Sequence, residues 1–135
     1  MTTPILGILQ SAIARWAVAI IWTLLLTLLL LQPEADPLID LGLPGGQSLW
    51  REILFSALHL LAFALTCALW FWTLRSVLPS RRRLLVAALF ALALGISTEA
   101  LQSLTLDRHA SLIDLLANIG GVLIAARMIR LRCNS

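Results

Sequence analysis

The chain has 135 residues, of which 60% are hydrophobic and 13% are charged, and its formal net charge is +3. Soluble domains contain about 45–50% apolar and about 25% charged residues, so a soluble domain of this size could not cover so much apolar surface. These values exclude a soluble globular domain and predict an integral membrane protein with a single domain.

The basic residues and the cysteines give no indication of nucleic-acid binding, a zinc site or a redox pair. All ten basic residues are arginines that flank apolar blocks, which indicates orientation in a membrane rather than binding of nucleic acid. Cys67 and Cys133 have neither zinc-site nor redox spacing, so we expect both to be reduced and without a role. No sequence pattern calls for a metal ion or a cofactor, and we expect none.

The first apolar block predicts a helix over about residues 11–31, with Arg15 close to its start. Its position is that of a signal peptide, but Pro33-Glu34-Ala35 is a poor cleavage site because such sites need small residues. We therefore expect a retained helix on which Arg15 extends toward the headgroups. Residues 33–50 are acidic and interrupted by Pro and Gly, so they are predicted to form an external loop.

Three further apolar blocks predict helices over about residues 53–74, 84–104 and 111–129. Each is close to the roughly 20 residues that an α-helix needs to cross about 30 Å of hydrocarbon. The predicted fold class is an all-α integral membrane protein, a bundle of four transmembrane helices formed by residues 1–135. A short turn joins the second and third helices, and it contains Arg75, Pro79, Arg81, Arg82 and Arg83.

The arginines predict the orientation of this bundle. Only Arg51 and Arg108 fall on one side of the four predicted spans, together with or close to every acidic residue. By the positive-inside rule, the other side is cytoplasmic, so both termini are expected in the cytoplasm. Eight arginines fall on that cytoplasmic side: Arg15, Arg75, Arg81, Arg82, Arg83, Arg127, Arg130 and Arg132.

Polar residues gather near the arginine-poor ends of the third and fourth predicted helices. Glu99 and Gln102 are three residues apart, so they share one helical face. Asp114, Asn118 and Gly121 follow the i, i+4, i+7 pattern of a single face. Polar groups within the bilayer face a bundle interior or water, so both faces are predicted to point inward.

The second predicted helix brings a histidine to the same depth. His59 lies about seven residues into it, roughly 10 Å below the outer edge at about 1.5 Å per residue. Glu99 and Asn118 lie at similar depth on their own helices, and Arg108 and His109 lie in the loop above them. The sequence therefore predicts one polar pocket that opens outward.

This pattern resembles the VanZ-like family. The family's hallmark residues and spacing are matched by Glu99, Gln102, Arg108, Asp114, Asn118 and Gly121. An earlier helix in the family carries a His, often in an Asp-Lys-x-x-His segment, and His59 matches that His. The chain departs from the family at three positions, with Phe55 and Ser56 in place of the Asp and Lys and Ala125 in place of a usual Gly. The resemblance covers roughly residues 52–125 and implies a link to low-level resistance to glycopeptide antibiotics such as teicoplanin.

Several roles stay open for these residues. If the protein binds or alters an external amphiphile, Arg108 would meet its phosphate or carboxylate, with Glu99 and His59 available for proton transfer. Gln102, Asp114 and Asn118 would complete the binding site. The purely structural alternatives are a Glu99–Arg108 ion pair, interhelical hydrogen bonds from Gln102 and Asn118, a neutral His59 in the core, and Asp114 near a helix N-terminus. A small-residue stripe typical of close helix packing is formed by Ala117, Gly121 and Ala125.

Three functional classes follow from these roles. The first is an envelope protein that acts on a lipid-linked cell-wall intermediate or a lipophilic antibiotic. The second is a small proton-linked transporter, which is disfavoured because the inner halves of the predicted helices carry no acidic residue or histidine that could relay a proton. The third is a non-catalytic subunit that binds a membrane protein partner and whose polar cluster only fixes the bundle.

The predicted topology can be checked with reporter fusions. A reporter fused after residue 45 is expected to be active outside the cytoplasm, and one fused at residue 135 is expected to be active inside it, because eight of the ten arginines lie on the side of the termini. A C-terminal reporter that is active outside the cytoplasm would contradict the model.

Overall fold

The computed structural model describes residues 11–32, 49–104 and 112–134. These residues form four α-helices and one short 3-10 turn at Leu74–Ser76, with no strand among them. We number the helices α1 (Ala12–Leu30), α2 (Leu49–Thr73), α3 (Ser80–Gln102) and α4 (Leu112–Asn134).

All four helices are long and apolar enough to cross a membrane. The shortest, α1, has 19 residues, which corresponds to about 28 Å of helix. Large apolar side chains cover the outside of the bundle, and Leu28 and Leu61 are 65% and 62% exposed. Such a surface requires lipid as its solvent, so the chain is a multi-pass membrane protein.

The helices extend beyond three of the predicted bounds. Helix α2 begins at Leu49 and α3 at Ser80, each four residues before the predicted start, and α4 continues to Asn134 rather than ending at residue 129. Hydropathy locates the hydrocarbon layer, whereas a helix can continue into the headgroup region because its backbone hydrogen bonds remain internal. The triple arginine 81–83 therefore lies in the first turn of α3 rather than in a loop.

Side-chain contacts show that consecutive helices run in opposite directions. Gln102 at the end of α3 bonds to Leu30 at the end of α1, and Ser56 near the start of α2 bonds to Asp114 near the start of α4. At the other end, Thr73 of α2 bonds to Arg15 of α1. We call the first end the acidic end, because Glu52, Glu99 and Asp114 lie toward it, and the second the arginine-rich end, where all eight arginines predicted to share a side lie.

Hydrogen bonds and aromatic contacts attach α1 to α2. Trp22 Nε1 donates to Thr66 Oγ1 at 2.9 Å, and Trp70 Nε1 donates to Thr23 Oγ1 at 3.1 Å. Thr73 Oγ1 donates to the carbonyl oxygen of Arg15 at 3.1 Å. Because lipid offers no hydrophobic drive for helices to associate, these directional contacts have a large part in holding α1 on the bundle.

The most extensive contact between described helices is that of α2 with α4, and Gly121 lies within it. A β-carbon added there would overlap the carbonyl oxygen of Leu60 and would lie 2.9 Å from the carbonyl carbon of Leu60 and 3.1 Å from the backbone nitrogen of Ala64. Gly121 therefore lets α4 pack directly against the backbone of α2. Ala125, one turn further along α4, is also buried.

Gly121→Ala is expected to lower the free energy of unfolding by about 1–3 kcal/mol, because the added methyl group meets backbone atoms that no side-chain rotation can move. Thermal unfolding in a neutral detergent, followed by circular dichroism, measures this loss. Gly120→Ala is the matched control, since a β-carbon there would meet only Leu60 Cδ1 at 3.9 Å. Equal losses in both variants would contradict the close packing. Gly121→Leu should also reduce the amount of folded protein in the membrane.

Candidate functional site

Two pairs of polar side chains join α2 to α4 near the acidic end. Ser56 Oγ donates to Asp114 Oδ1 at 3.2 Å, and one turn deeper His59 Nδ1 lies 3.0 Å from Asn118 Oδ1. Ser56 and His59 are three residues apart and Asp114 and Asn118 are four apart, so each pair of neighbours shares one helical face. We call these four residues the polar ladder.

Asn118 is half satisfied: within the described residues, only one of the two polar atoms of its side chain has a hydrogen-bond partner. Its side chain is 2% exposed, and its amide nitrogen Nδ2 is buried without a hydrogen-bond partner there. The orientation of an amide is assigned rather than observed. Turning it over would pair Nδ2 with His59 and leave Oδ1 without that partner, so in either orientation one polar atom of Asn118 lacks the histidine. A buried polar group without a partner costs about 1–3 kcal/mol, which makes this amide a candidate ligand contact.

Gly95 of α3 makes room for the Asn118 side chain. A β-carbon on Gly95 would lie 3.3 Å from Asn118 Cβ, 3.4 Å from Asn118 Nδ2 and 3.1 Å from Phe63 Cε1. The amide nitrogen therefore points at the backbone of α3. Glu99 lies four residues further along α3, on the same face as Gly95 and one turn nearer the acidic end.

Glu99 and Gln102 are both buried at the end of α3, with exposures of 6% and 7%. Gln102 Nε2 donates to the backbone carbonyl of Leu30 at 2.7 Å. That carbonyl belongs to the last turn of α1, where carbonyl groups have no partner within the helix. Gln102 thus bonds to α1, whereas Asn118 lies between His59 of α2 and Gly95 of α3, so these two predicted binding residues have different neighbours in these contacts.

A groove between α1 and α2 reaches the polar ladder from the side. Its volume is about 390 Å³, and among the described residues that line it His59 is the one that can ionise. Leu29, Leu61 and Leu65, which also line the groove, are 51%, 62% and 43% exposed on the outside of the bundle. The groove therefore opens toward lipid. We call it the His59 groove, and its other lining residues are Trp22, Leu26, Leu30, Phe55, Leu58, Ala62 and Phe63.

The histidine ring connects the polar ladder to the groove. Nδ1 is held by Asn118, and Nε2 makes no hydrogen bond to any residue in the described ranges. When Asn118 Oδ1 is the acceptor, Nδ1 carries the proton and a neutral ring presents the lone pair of Nε2. Such a ring can accept a proton or a hydrogen bond from a polar group that enters the groove.

The remaining predicted site residues fall into two groups. Arg108, His109 and the connecting loop lie outside the described residues, as does most of the predicted external loop. Ala117 is half-buried on α4, on the stripe that continues through Gly121 and Ala125. No cluster of three or more potential metal ligands occurs among the described residues, and Cys67 and Cys133 are free thiols.

Sequence reasoning missed two residues that shape the site. Ser56 was noted only as a departure from a family pattern, although it lies three residues before His59 and therefore on the same face. Gly95 lies four residues before Glu99, and the same periodicity would have placed it on the polar face of α3. The contribution of α1 to the groove carried no sequence signal, because its lining residues are ordinary apolar residues of a lipid-exposed helix.

Comparisons with known proteins gave no match: no protein-family model fits the sequence, and neither the curated proteins nor the solved structures searched contain a similar chain. The function is therefore argued from the site itself.

Asn118→Leu is expected to change the free energy of unfolding by less than about 1 kcal/mol, although the residue is almost fully buried. The substitution leaves the His59 N–H without its acceptor but also removes a buried unsatisfied donor, so the two effects oppose each other. Interhelical hydrogen bonds in membranes average about 0.6 kcal/mol. Thermal unfolding in detergent provides the measurement.

Thr66→Val is the comparison variant. Thr66 is fully buried, and its hydroxyl both accepts from Trp22 and donates to the carbonyl of Ala62. Its loss leaves the Trp22 N–H without its acceptor, so we expect a cost of about 1–2 kcal/mol. A larger loss for Asn118→Leu than for Thr66→Val would show that the Asn118 amide is fully satisfied.

Proposed function

We propose that this chain is a VanZ-like protein of a bacterial inner membrane, with both termini in the cytoplasm, that binds an amphiphile of the cell envelope. The ligand class is a lipid-linked wall intermediate or a lipophilic glycopeptide such as teicoplanin. Its apolar chain would occupy the His59 groove, and its polar head would meet the acidic end of the bundle.

The observation that carries this proposal is the composition of the His59 groove. The groove is apolar along its length, opens toward lipid and has a histidine beside a half-satisfied buried amide. Ligand sites are typically apolar clefts with a few polar groups that fix orientation. A site entered from the bilayer suits a molecule with an acyl or prenyl chain.

Different polar residues would contact different groups of such a ligand. The lone pair of His59 Nε2 can take a hydrogen bond from a hydroxyl or amide group, and the ring can accept a proton. The Asn118 amide can supply a donor if the ligand or a water molecule reaches it. Arg108 would meet the phosphate or carboxylate of the ligand, and Glu99, Gln102 and Asp114 would complete the polar wall.

A second candidate function is that of a non-catalytic partner subunit. It is favoured by the bond from Gln102 to Leu30 and by the Ser56–Asp114 pair, which fasten helices together. The two candidates differ in what they require of the groove. A subunit whose polar residues are only fasteners has no need of an open groove beside His59.

Filling the groove tests the first candidate. Leu61→Trp is expected to abolish a teicoplanin-resistance or envelope phenotype, because the indole occupies the entrance while Leu61 itself has little packing to lose. Growth under teicoplanin is the measurement, with the amount of protein in the membrane followed by immunoblot. Leu89→Trp is the matched control, since Leu89 is a similarly exposed leucine, 56% against 62%, that does not line the groove.

The charged residues of the motif are tested in the same assay. Glu99→Gln and Arg108→Gln are each expected to abolish the phenotype while membrane levels stay normal. Glu99→Gln keeps the size of the side chain and removes only its charge, and Arg108→Gln replaces the charge with a shorter neutral polar group. If either variant instead disappears from the membrane, that residue is structural. If Leu61→Trp and Leu89→Trp both retain full resistance, the groove is not the binding site.

A further inference from the structure

The arginine-rich end of the bundle carries two grooves at the junction of α3 and α4. The first has a volume of about 620 Å³ and includes Phe71, Ser80, Arg81, Leu84 and Arg130 in its lining. The second has a volume of about 600 Å³, with Leu84, Leu123, Arg127 and Arg130 among its lining residues. Leu84 and Arg130 line both, so the grooves are neighbours. We call them the basic grooves.

Among the described residues, no carboxylate lies near the arginines of these grooves. The described carboxylates are Glu52, Glu99 and Asp114, and they belong to the acidic end. Asp114 is 13 residues from Arg127 on the same helix (127 − 114), which is about 20 Å of helix and well beyond the screening length of about 8 Å. Arg81 and Arg130 form no hydrogen bond or ion pair with any described residue.

Other arginines at this end already contact an aromatic ring or a hydroxyl group. Arg83 lies 4.1 Å from the ring centroid of Phe71 and donates to Ser80 Oγ at 3.1 Å. Arg15 and Arg75 each lie 6.0 Å from the ring of Trp72. These contacts hold cations against the aromatic surface. Arg81, Arg127 and Arg130 are therefore the arginines that combine a groove position with freedom to meet an external anion.

We infer that the basic grooves bind an anionic phospholipid at the arginine-rich end, with its phosphate at Arg81 and Arg130 and its acyl chains along the apolar walls. Charge complementarity selects the headgroup, because Arg donates paired hydrogen bonds to phosphate and the described carboxylates lie at the opposite end of the bundle. Leu84, Leu85, Ala88 and Ile129 line the first groove toward the hydrocarbon, where acyl chains lie. Basic pockets between transmembrane helices are a recognised form of lipid headgroup site.

This site is independent of the proposed function, since it uses none of the residues of the His59 groove and lies at the opposite end of the helices. Arg130 is the residue on which it most depends, because it lines both grooves. Arg82 and Arg132 are exposed at the same end and line neither groove, so they have the same charge without the same position.

Native mass spectrometry of the full chain in a neutral detergent tests the inference. Phosphatidylglycerol and phosphatidylcholine with identical acyl chains are titrated separately, and the bound fraction is compared. We expect phosphatidylglycerol to bind at least about tenfold more tightly. Arg130→Gln and Arg81→Gln should each weaken that binding about fivefold, as expected for one arginine near an anionic headgroup. Arg82→Gln and Arg132→Gln should each weaken it less than twofold.

Three results would overturn the inference. The first is equal binding of the two lipids by the unmodified chain, and the second is an equal loss in all four arginine variants, which would indicate diffuse attraction. The third is full competition by inorganic phosphate, which would indicate a simple anion site. The first and third results are obtained with the unmodified chain, so they remain decisive even if Arg130→Gln fails to fold. In that case Arg130→Lys, which keeps the charge but loses the paired hydrogen bonds of the guanidinium, is compared for phosphatidylglycerol binding instead.

Discussion

The close approach of α4 to the backbone of α2 is the constraint on which the rest of the structure depends. At Gly121 there is no space for a side chain, so the two helices can neither slide nor rotate there without a clash or a gap. Leu60, the residue it touches, follows His59 directly, and Gly121 lies three residues beyond Asn118. Fixing this one contact therefore fixes the depth and the facing of the polar ladder.

Different kinds of contact determine which helices pack against each other in this bundle. Apolar packing cannot by itself distinguish a neighbouring helix from lipid, since both are hydrocarbon-like. The buried contacts that choose a partner are therefore polar or steric: a glycine between α2 and α4, threonine–tryptophan hydrogen bonds between α1 and α2, and a glutamine from α3 on the end of α1. The half-satisfied amide of Asn118 is the exception, because it weakens the bundle where the others strengthen it, and this is what makes it a candidate for function.

Much of the fold follows from the sequence alone, because hydrophobic block length decides how many helices can cross a bilayer. Depth along a helix is equally predictable at about 1.5 Å per residue, and it placed His59 level with Asn118, whose side chains lie 3.0 Å apart. The sequence predicts less well which neighbouring helix a given face meets. Gln102 shares a face with Glu99, yet its amide bonds to α1 rather than to the polar ladder. Nor could hydropathy find Gly95, whose significance lies in the missing side chain opposite Asn118.

The attachments of α1 have a consequence for how the molecule is assembled. Every described hydrogen bond that anchors α1 reaches forward in the chain, from Trp22 to Thr66 and finally from Leu30 to Gln102, 72 residues later. Synthesis proceeds from the N-terminus, so α1 reaches the bilayer before the helices that carry these partners. The hydroxyls of Thr23 and Thr27 donate to carbonyls of their own helix, at 2.7 and 2.8 Å. These two hydroxyls are therefore hydrogen-bonded even before the later helices pack against α1. Helix α1 is thus inserted before the helices that hold it in place, and a nascent chain that stops short of residue 102 lacks the bond from Gln102 to Leu30.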